Sequence, residues 1–264
     1  MTGTRSTVSH WCLPALLIVF FSLLPATSVA GDDCHPQGID ERATVRWVID
    51  GDTIVLADGR HLRFIGYNAP ERAHRESPAE PLGDTAWRAL KSRLPQGAPL
   101  QLEFDRQRHD RHGRLLAHAF LADGTNLQAA MLRDGLGLRL TIPPDLRHQS
   151  CYAAAERSAR RQRRGLWSSL PRLPMAIPGS DTLAGRFRLT GSEVVLAGKH
   201  HGGWTLRLAN GVMLRIGRHA RHRFVQAQLE NLRGARVFAR GYLYHSHGRL
   251  WLNITHPDNL QVKN

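Results

Sequence analysis

Lysine is almost missing from this sequence. Only Lys91, Lys199 and Lys263 occur in 264 residues, so 33 of the 36 basic side chains are arginine. Acid is also scarce: 22 Asp and Glu leave a formal charge of +14. A field of that sign attracts polyanions, although arginine-biased codon usage gives the same composition. No apolar run reaches the ~20 residues needed to span a bilayer. No repeat with a period of roughly 20–50 residues is evident, unless both halves are barrels. Fifteen histidines invite a metal reading, yet the densest groups, His200-His201 and His245 with His247, lack the spacing of a zinc site. Hairpin tips often carry such exposed polar residues.

What is present at the N-terminus reads as a leader. Arg5 precedes an apolar stretch, Leu13–Leu24, and Ser28-Val29-Ala30 is a small-x-small cleavage site. Residues 1–30 are therefore expected to be a secretory signal peptide, the alternative being an uncleaved anchor. Gly31, not a lipidation-type cysteine, would follow the cut. The expected location is periplasmic or secreted, with no stable membrane association once the leader is gone. Cys12 leaves with the leader, and Cys34 and Cys151 remain. Two cysteines in an exported chain can pair; the alternative is two unrelated thiols. Such a bridge would close a long loop, for which the chain-entropy model gives an upper figure of more than ~4 kcal/mol.

Residues 31–168 read as one domain. Arg42–Ile49, Thr53–Ala57 and His61–Gly66 are strand-like, rich in β-branched and aromatic residues, with turn signals at Asp50-Gly51-Asp52 and Asp58-Gly59. On the third strand Arg63 and Ile65 share a face. A charge beside apolar neighbours points to a cleft wall or an exposed edge. Pro70 holds the preceding residue extended. Asp84 is a candidate cap for a helix running to about Leu94. Leu100–Phe104 and Leu115–Leu121 complete the strands. Asn126–Asp134 and Asp145–Arg164 are expected helices. Residues 169–180, with Pro171, Pro174 and Pro178, read as a linker.

Residues 181–264 turn back to β character. Strands are expected at Gly185–Leu189, Glu193–Leu196, Trp204–Ala209, Val212–Ile216, Arg236–Tyr244 and Arg249–Ile254, with a short helix over Phe224–Leu232. Asn210-Gly211 is a hairpin signal. This pattern fits a small barrel or sandwich of OB type. Arg207, Arg215, Arg240 and Trp204 are candidate nucleic-acid contacts there, unless the module docks a partner or only stabilises the chain.

Phosphodiester hydrolysis needs a water nucleophile, a base for its proton, and positive charge where the pentacoordinate phosphorus gathers negative charge. Arginine suits the last task because its fork donates two hydrogen bonds to phosphate. A hard cation held by carboxylate and carbonyl oxygens can add to it. Asp52, Arg63, Glu71 and Arg114 offer these groups. Alone, each is better explained as turn chemistry or a solvated charge.

Their order and spacing resemble the thermonuclease-type, staphylococcal nuclease-like family. The matching stretches are VIDGDTIVL (Val48–Leu56), LRFIGYNAPE (Leu62–Glu71), EFDRQRHDRHGRLLAHAFLADG (Glu103–Gly124), LQAAMLRDGLG (Leu127–Gly137) and RRGLW (Arg163–Trp167). The resemblance implies a mainly β fold, a five-stranded OB-type barrel with three helices, here followed by a second, small OB-like β domain. It implies a Ca²⁺-dependent nuclease acting on DNA and RNA and leaving 3′-phosphate ends. Asp52, Asn68 and the Ala69 carbonyl match metal ligands. Arg63 and Arg114 match the phosphate-binding catalytic arginines, and Glu71 the general base. It also makes a Cys34–Cys151 bridge compatible with the fold, since the first strand region runs near the last helix.

Two departures bear on function. The family type has aspartate where this chain has Asn68, and ligand charge sets calcium affinity, so weaker or altered cation binding is expected. Where the family type has base-contacting tyrosines, this chain reads Leu140-Thr141-Ile142-Pro143. Arg111 and His112 are candidate contacts to flanking phosphates, or a solvated turn. The rival function is a non-catalytic nucleic-acid or protein-binding module that reuses the barrel.

Overall fold

In the computed structural model, Met1, Gly3 and residues 34–73, 78–168 and 187–263 are described. The leader beyond Met1 and Gly3, and the 169–180 linker, lie outside the described residues. Three strands open the fold: β1 (Glu41–Val48), β2 (Thr53–Leu56) and β3 (His61–Phe64). Their turns are built by aspartates that take backbone N–H groups, Asp52 N–H to Asp50 Oδ1 and Arg60 N–H to Asp58 Oδ1, each at 3.0 Å. A two-residue strand β4 (Tyr67–Asn68) and helix α1 (Gly83–Arg93) follow, then β5 (Pro99–Glu103) and β6 (Leu115–Phe120). Helix α2 (Leu127–Arg133), strand β7 (Leu138–Arg139) and helix α3 (Gln149–Arg161) complete this part.

The first sheet closes as β1-β2-β3-β6-β5, and β4 pairs separately with β7. Strand β2 is TIVL, buried along its whole length. Ile54, Leu62, Leu102 and Phe64 fill the barrel, and burying a side chain of this kind is worth roughly 1.5–3 kcal/mol. The β3–β6 pairing is parallel, with Leu62 opposite Leu115 and Arg63 opposite Leu116. That register brings Arg114, one residue before β6, to the strand that carries Arg63. Cys34 and Cys151 form a disulfide across 5.7 Å between Cα atoms, tying the segment before β1 to α3.

Two helix starts differ from expectation. Leu82, in a left-handed conformation with no side-chain cap bond, precedes α1, so Asp84 is no cap. Asp84 sits in the first turn, where its charge suits the helix dipole, and it pairs with Arg72 at 3.0 Å. Gly83 lies against the Glu71 carbonyl, where a Cβ would overlap that oxygen. Helix α3 starts at Gln149 rather than Asp145, because the Asp145 carboxylate accepts the Gln107 N–H at 2.8 Å and so belongs to a turn.

The second sheet comprises β8 (Phe187–His200), β9 (Gly203–Leu208), β10 (Met213–Ile216), β11 (Arg236–Ser246), β12 (Arg249–Asn253) and β13 (Leu260–Lys263). A short helix, α4 (Gln226–Glu230), falls between β10 and β11. The order is β12-β10-β9-β8-β11-β13, and a β12–β11 pairing closes the first five strands into a ring. Strand by strand this repeats the first barrel: an antiparallel meander of three, a parallel pairing from its third strand (β10–β12), then antiparallel closure through β11. The described residues therefore form two five-stranded barrels, mostly β, with three helices attached to the first.

The barrels meet through charge. Arg240, 2% exposed, donates to both carboxylate oxygens of Glu156 on α3 at 2.7 and 3.0 Å. Arg139 donates to Asp258 at 2.6 Å, and the Asn259 amide to the Thr141 carbonyl at 2.7 Å. Ala159, Trp167 and Leu189 form a small apolar patch beside them. Burial alone would raise the Glu156 carboxyl, but Arg240 and Arg160 outweigh it and hold it below the ordinary range. Arg240 thus joins the barrels, and its expected role as a nucleic-acid contact is corrected. No helix among the described residues is long and apolar enough to cross a membrane.

Candidate active site

Asp52 ends the first turn at the mouth of the barrel and is nearly buried. Its Oδ2 accepts the Ala69 N–H at 2.8 Å and faces Arg63 Nη1 at 2.8 Å, while Thr53 donates to Oδ1 at 3.0 Å. Burial pushes the carboxyl up to about 7; Arg63 opposes the rise, and the Asp50 carboxylate beside it adds to it. Two neighbouring carboxylates cannot both ionise cheaply.

Arg63 is fixed from several sides. Nη1 donates to the Tyr67 carbonyl at 3.0 Å and Nη2 to Asn68 Oδ1 at 2.9 Å. Strand β4 exists to make this cradle: pairing of Tyr67 and Asn68 with Arg139 and Leu138 holds the chain beside the guanidinium. Asn68 bonds through both the oxygen and the nitrogen of its amide. Oδ1 also accepts the Tyr242 hydroxyl of the second barrel at 3.1 Å, and Nδ2 donates to the Ala69 carbonyl at 2.9 Å.

Glu71 is exposed just beyond Pro70. Its backbone is clamped to Glu80, whose N–H donates to the Glu71 carbonyl at 2.8 Å and whose Oε2 accepts the Glu71 N–H at 3.2 Å. Arg188 of the second barrel in turn holds Glu80 Oε1 at 2.6 Å. Arg114 closes the Asp110–Arg114 turn, its Nε and Nη2 both 2.7 Å from Asp110 Oδ2. Asp110 also accepts the His112 and Arg114 N–H groups. Burial alone would raise it, and these bonds bring it below the usual carboxylate range. Arg111 donates to the neighbouring His112 ring at 3.1 Å, and both are exposed.

Asp52, Arg63, Asn68, Glu71, Arg111, His112 and Arg114 all line one cleft of about 890 Å³. Ala69 lies just behind it, bonded to Asp52. Cys34 and Cys151 take no part. Sequence reasoning missed Asp50, read only as a turn residue, and missed Glu80, Arg188, Tyr242 and Tyr244. The last three arrive through docking of the second barrel, for which no local signal exists.

A hard cation needs oxygen ligands and negative charge. Asp52 beside Asp50 supplies crowded carboxylates that a cation would relieve; Asn68 lines the same cleft, and the Ala69 carbonyl, which accepts the Asn68 amide, follows it in the chain. The donor set fits such an ion with reduced charge, because Asn68 is neutral and its oxygen already accepts two hydrogen bonds. His201 and His247 sit at hairpin turns with φ of 47° and 50°. Among the described residues no group of three or more His, Cys, Asp or Glu side chains is arranged to hold a metal.

The sequence pattern of the family described as "Staphylococcal nuclease homologue" matches residues 61–169. The chain is 31% identical over 130 residues to a thermonuclease of Staphylococcus intermedius, covering 48% of this chain and 76% of that one. It is 32% identical over 125 residues to a thermonuclease of Staphylococcus hyicus, covering 46% and 73%. With endonuclease YncB of Bacillus subtilis it shares 32% over 130 residues, covering 47% and 61%. The family match ends before the second barrel begins.

Proposed function

The chain belongs to the staphylococcal nuclease family, and from that premise we propose that it is an exported nuclease of low sequence specificity, hydrolysing phosphodiester bonds of DNA and RNA. The observation that carries this reading is the convergence of Arg63, Glu71 and Arg114 on one cleft. In the proposed reaction the Glu71 carboxylate takes a proton from a water in the cleft. The water oxygen attacks phosphorus, the bond to the 5′ oxygen breaks, and that oxygen leaves to be reprotonated, which gives a 3′-phosphate end. Arg63, immobilised by Tyr67 and Asn68, presents donors that need no reorganisation as charge builds on phosphorus. Arg114, tethered to Asp110 yet partly exposed, reaches the same phosphate from the opposite turn. Arg111 and His112 flank it and meet neighbouring phosphates.

Asp52, Asn68 and the Ala69 carbonyl would hold a calcium ion, which when bound supplies a fixed positive charge beside the phosphate. Export is supported by the leader pattern and by the Cys34–Cys151 bond, since such bonds persist in oxidising compartments.

The test is cleavage of DNA and RNA by the purified chain without residues 1–30, with Ca²⁺ and with chelator, beside Glu71→Gln and Arg114→Ala. Wild type is expected to exceed Glu71→Gln by about a hundredfold or more. Absence of cleavage above the variants with any divalent cation sinks the enzyme reading. The rival, a binding module, draws on the engagement of Arg63 and Arg114 by protein carboxylates. A gel shift without cleavage would favour it.

A further inference from the structure

Strand β11 brings a second surface to the cleft from outside the nuclease-like part of the chain. Alternate residues of a strand face the same way, so Arg240, Tyr242 and Tyr244 form a row. Arg240 is locked onto Glu156. Two residues on, Tyr242 is 44% exposed, its hydroxyl on Asn68 and its ring packed edge-to-face on Phe187 at 5.4 Å and 69°. Tyr244 follows, steadied by its hydroxyl on Asn253 at 3.1 Å. Both rings line the cleft that holds Arg63, Glu71 and Arg114. The surface then continues. Asn253 and Thr255 line both this cleft and an adjoining groove of about 550 Å³ on the second barrel. In that groove Arg215, Arg218 and His219 are exposed. Residues 187–263 carry twelve Lys and Arg against three Asp and Glu.

We propose that the second barrel is a single-strand track for the active site. Tyr242 and Tyr244 stack the nucleobases beside the scissile phosphate, and Arg215 and Arg218 hold phosphates of the strand as it leaves the cleft. The inference rests on the nuclease reading and deepens it, by assigning to the second barrel the surface that holds the bases and phosphates of the substrate strand beside the cleft. Aromatic faces joined to a basic groove are what sequence-tolerant single-strand binding requires, because every base has a π-face. A paired base is stacked within its duplex and offers no free face to a tyrosine. The ring that Phe187 and Asn68 hold in place loses little freedom on stacking.

The experiment uses the mature chain carrying Glu71→Gln, so that nothing is cleaved. Its affinity is measured by fluorescence anisotropy for a short oligothymidylate and for an abasic strand of the same length and charge. Tyr242→Ala and Tyr244→Ala should each weaken the oligothymidylate about tenfold and leave the abasic strand unaffected. Tyr242→Trp should keep the affinity. Arg215→Ala with Arg218→Ala should weaken both strands and reduce the dependence of log affinity on log salt by about 1.4, two phosphate contacts at about 0.7 each. If Tyr242→Ala fails to fold in a thermal melt, Tyr242→Leu keeps the bulk without an aromatic face and takes its place. Unchanged oligothymidylate binding in both tyrosine variants overturns the proposal, as does equal loss for the abasic strand, which would mark a structural role. The nuclease reading is tested apart, with Glu71 restored. Cleavage combined with tyrosine-independent binding defeats the track alone. Tyrosine-dependent binding without cleavage defeats the nuclease reading alone.

Discussion

At Asn68 one side-chain oxygen accepts hydrogen bonds from Arg63 at 2.9 Å and from Tyr242 at 3.1 Å. A neutral amide can serve both donors and still give an N–H to the Ala69 carbonyl. A carboxylate would add charge and lose that N–H. Asn68→Asp is therefore expected to tighten calcium binding about tenfold, because affinity follows ligand charge. In chelator it should melt lower than wild type, since a third carboxylate joins Asp50 and Asp52, one of which is already held up to about 7. A calcium titration followed by thermal shift reads both effects, and identical titration curves would remove Asn68 from the cation site. At this scale much of the cleft was legible. Asp52, Arg63, Glu71 and Arg114 are legible only as a set, through the order and spacing that resemble the family, since each alone reads as turn chemistry or a solvated charge. Tyr242 was not legible, because its place depends on how one barrel rests on another.

Individual strands and helices were read well where alternation or turn residues dominate, as in β2 and β3. Strand β8 was expected as two pieces, broken near Gly191-Ser192. It runs unbroken from Phe187 to His200 because Gly191 leaves room for the Phe238 ring, which a Cβ would meet at 2.5 Å. Strand β13, Leu260–Lys263, alternates apolar and polar residues but is only four residues long, too short a run to stand out. The junction between α3 and the barrel carries an element-scale prediction. His118, on β6, is fully buried, with Nδ1 2.7 Å from the Tyr152 hydroxyl on α3. Its Nε2 lies 3.8 Å from Asp105, and the His148 ring, bonded to Glu103, packs 4.9 Å away. Burial lowers the His118 pKa below 6.5, with Asp105 opposing. The folded chain therefore keeps this ring neutral while the unfolded chain protonates it, so His118 costs stability as pH falls below about 6.5. Asp52, raised to about 7, acts in the opposite sense, losing its contribution as pH rises towards that value. A comparison with His118→Gln cancels Asp52. The difference in unfolding free energy between wild type and variant, from urea melts at pH 8, 7, 6 and 5, should move in favour of the variant as pH drops. A pH-independent difference would contradict it. Asp105 adds a later stage: burial would raise it, but the His118 ring and the Arg147 and Arg106 N–H groups bring it to about 2. Its stabilisation is lost between the unfolded value and that one.

At the scale of the whole molecule, two rings of the same strand order are joined by buried ion pairs rather than by a broad apolar face. Removing one partner of such a pair leaves the other charge stranded, at about 3–5 kcal/mol where burial is complete. Glu156 with Arg240 meets that condition on both sides. Arg188 with Glu80 is nearly as enclosed, at 11% and 12% side-chain exposure, and does something more. Glu80 clamps the Glu71 backbone through two hydrogen bonds, so Arg188 fixes, from the second barrel, the loop that carries the proposed base. Arg188 is thus a positioning residue. Loosening the clamp displaces the carboxylate without touching the groups that hold substrate, and small misplacements of a reacting group are costly in rate. Arg188→Ala is expected to lower kcat about tenfold while KM for a short oligonucleotide stays within about twofold. Arg188→Lys, which keeps a cation able to reach Glu80, should recover part of the loss. Arg240→Ala is the control: it weakens the same interface at Glu156, away from the Glu71 loop. If Arg240→Ala lowers kcat as much as Arg188→Ala, the effect is loss of docking and not positioning of Glu71.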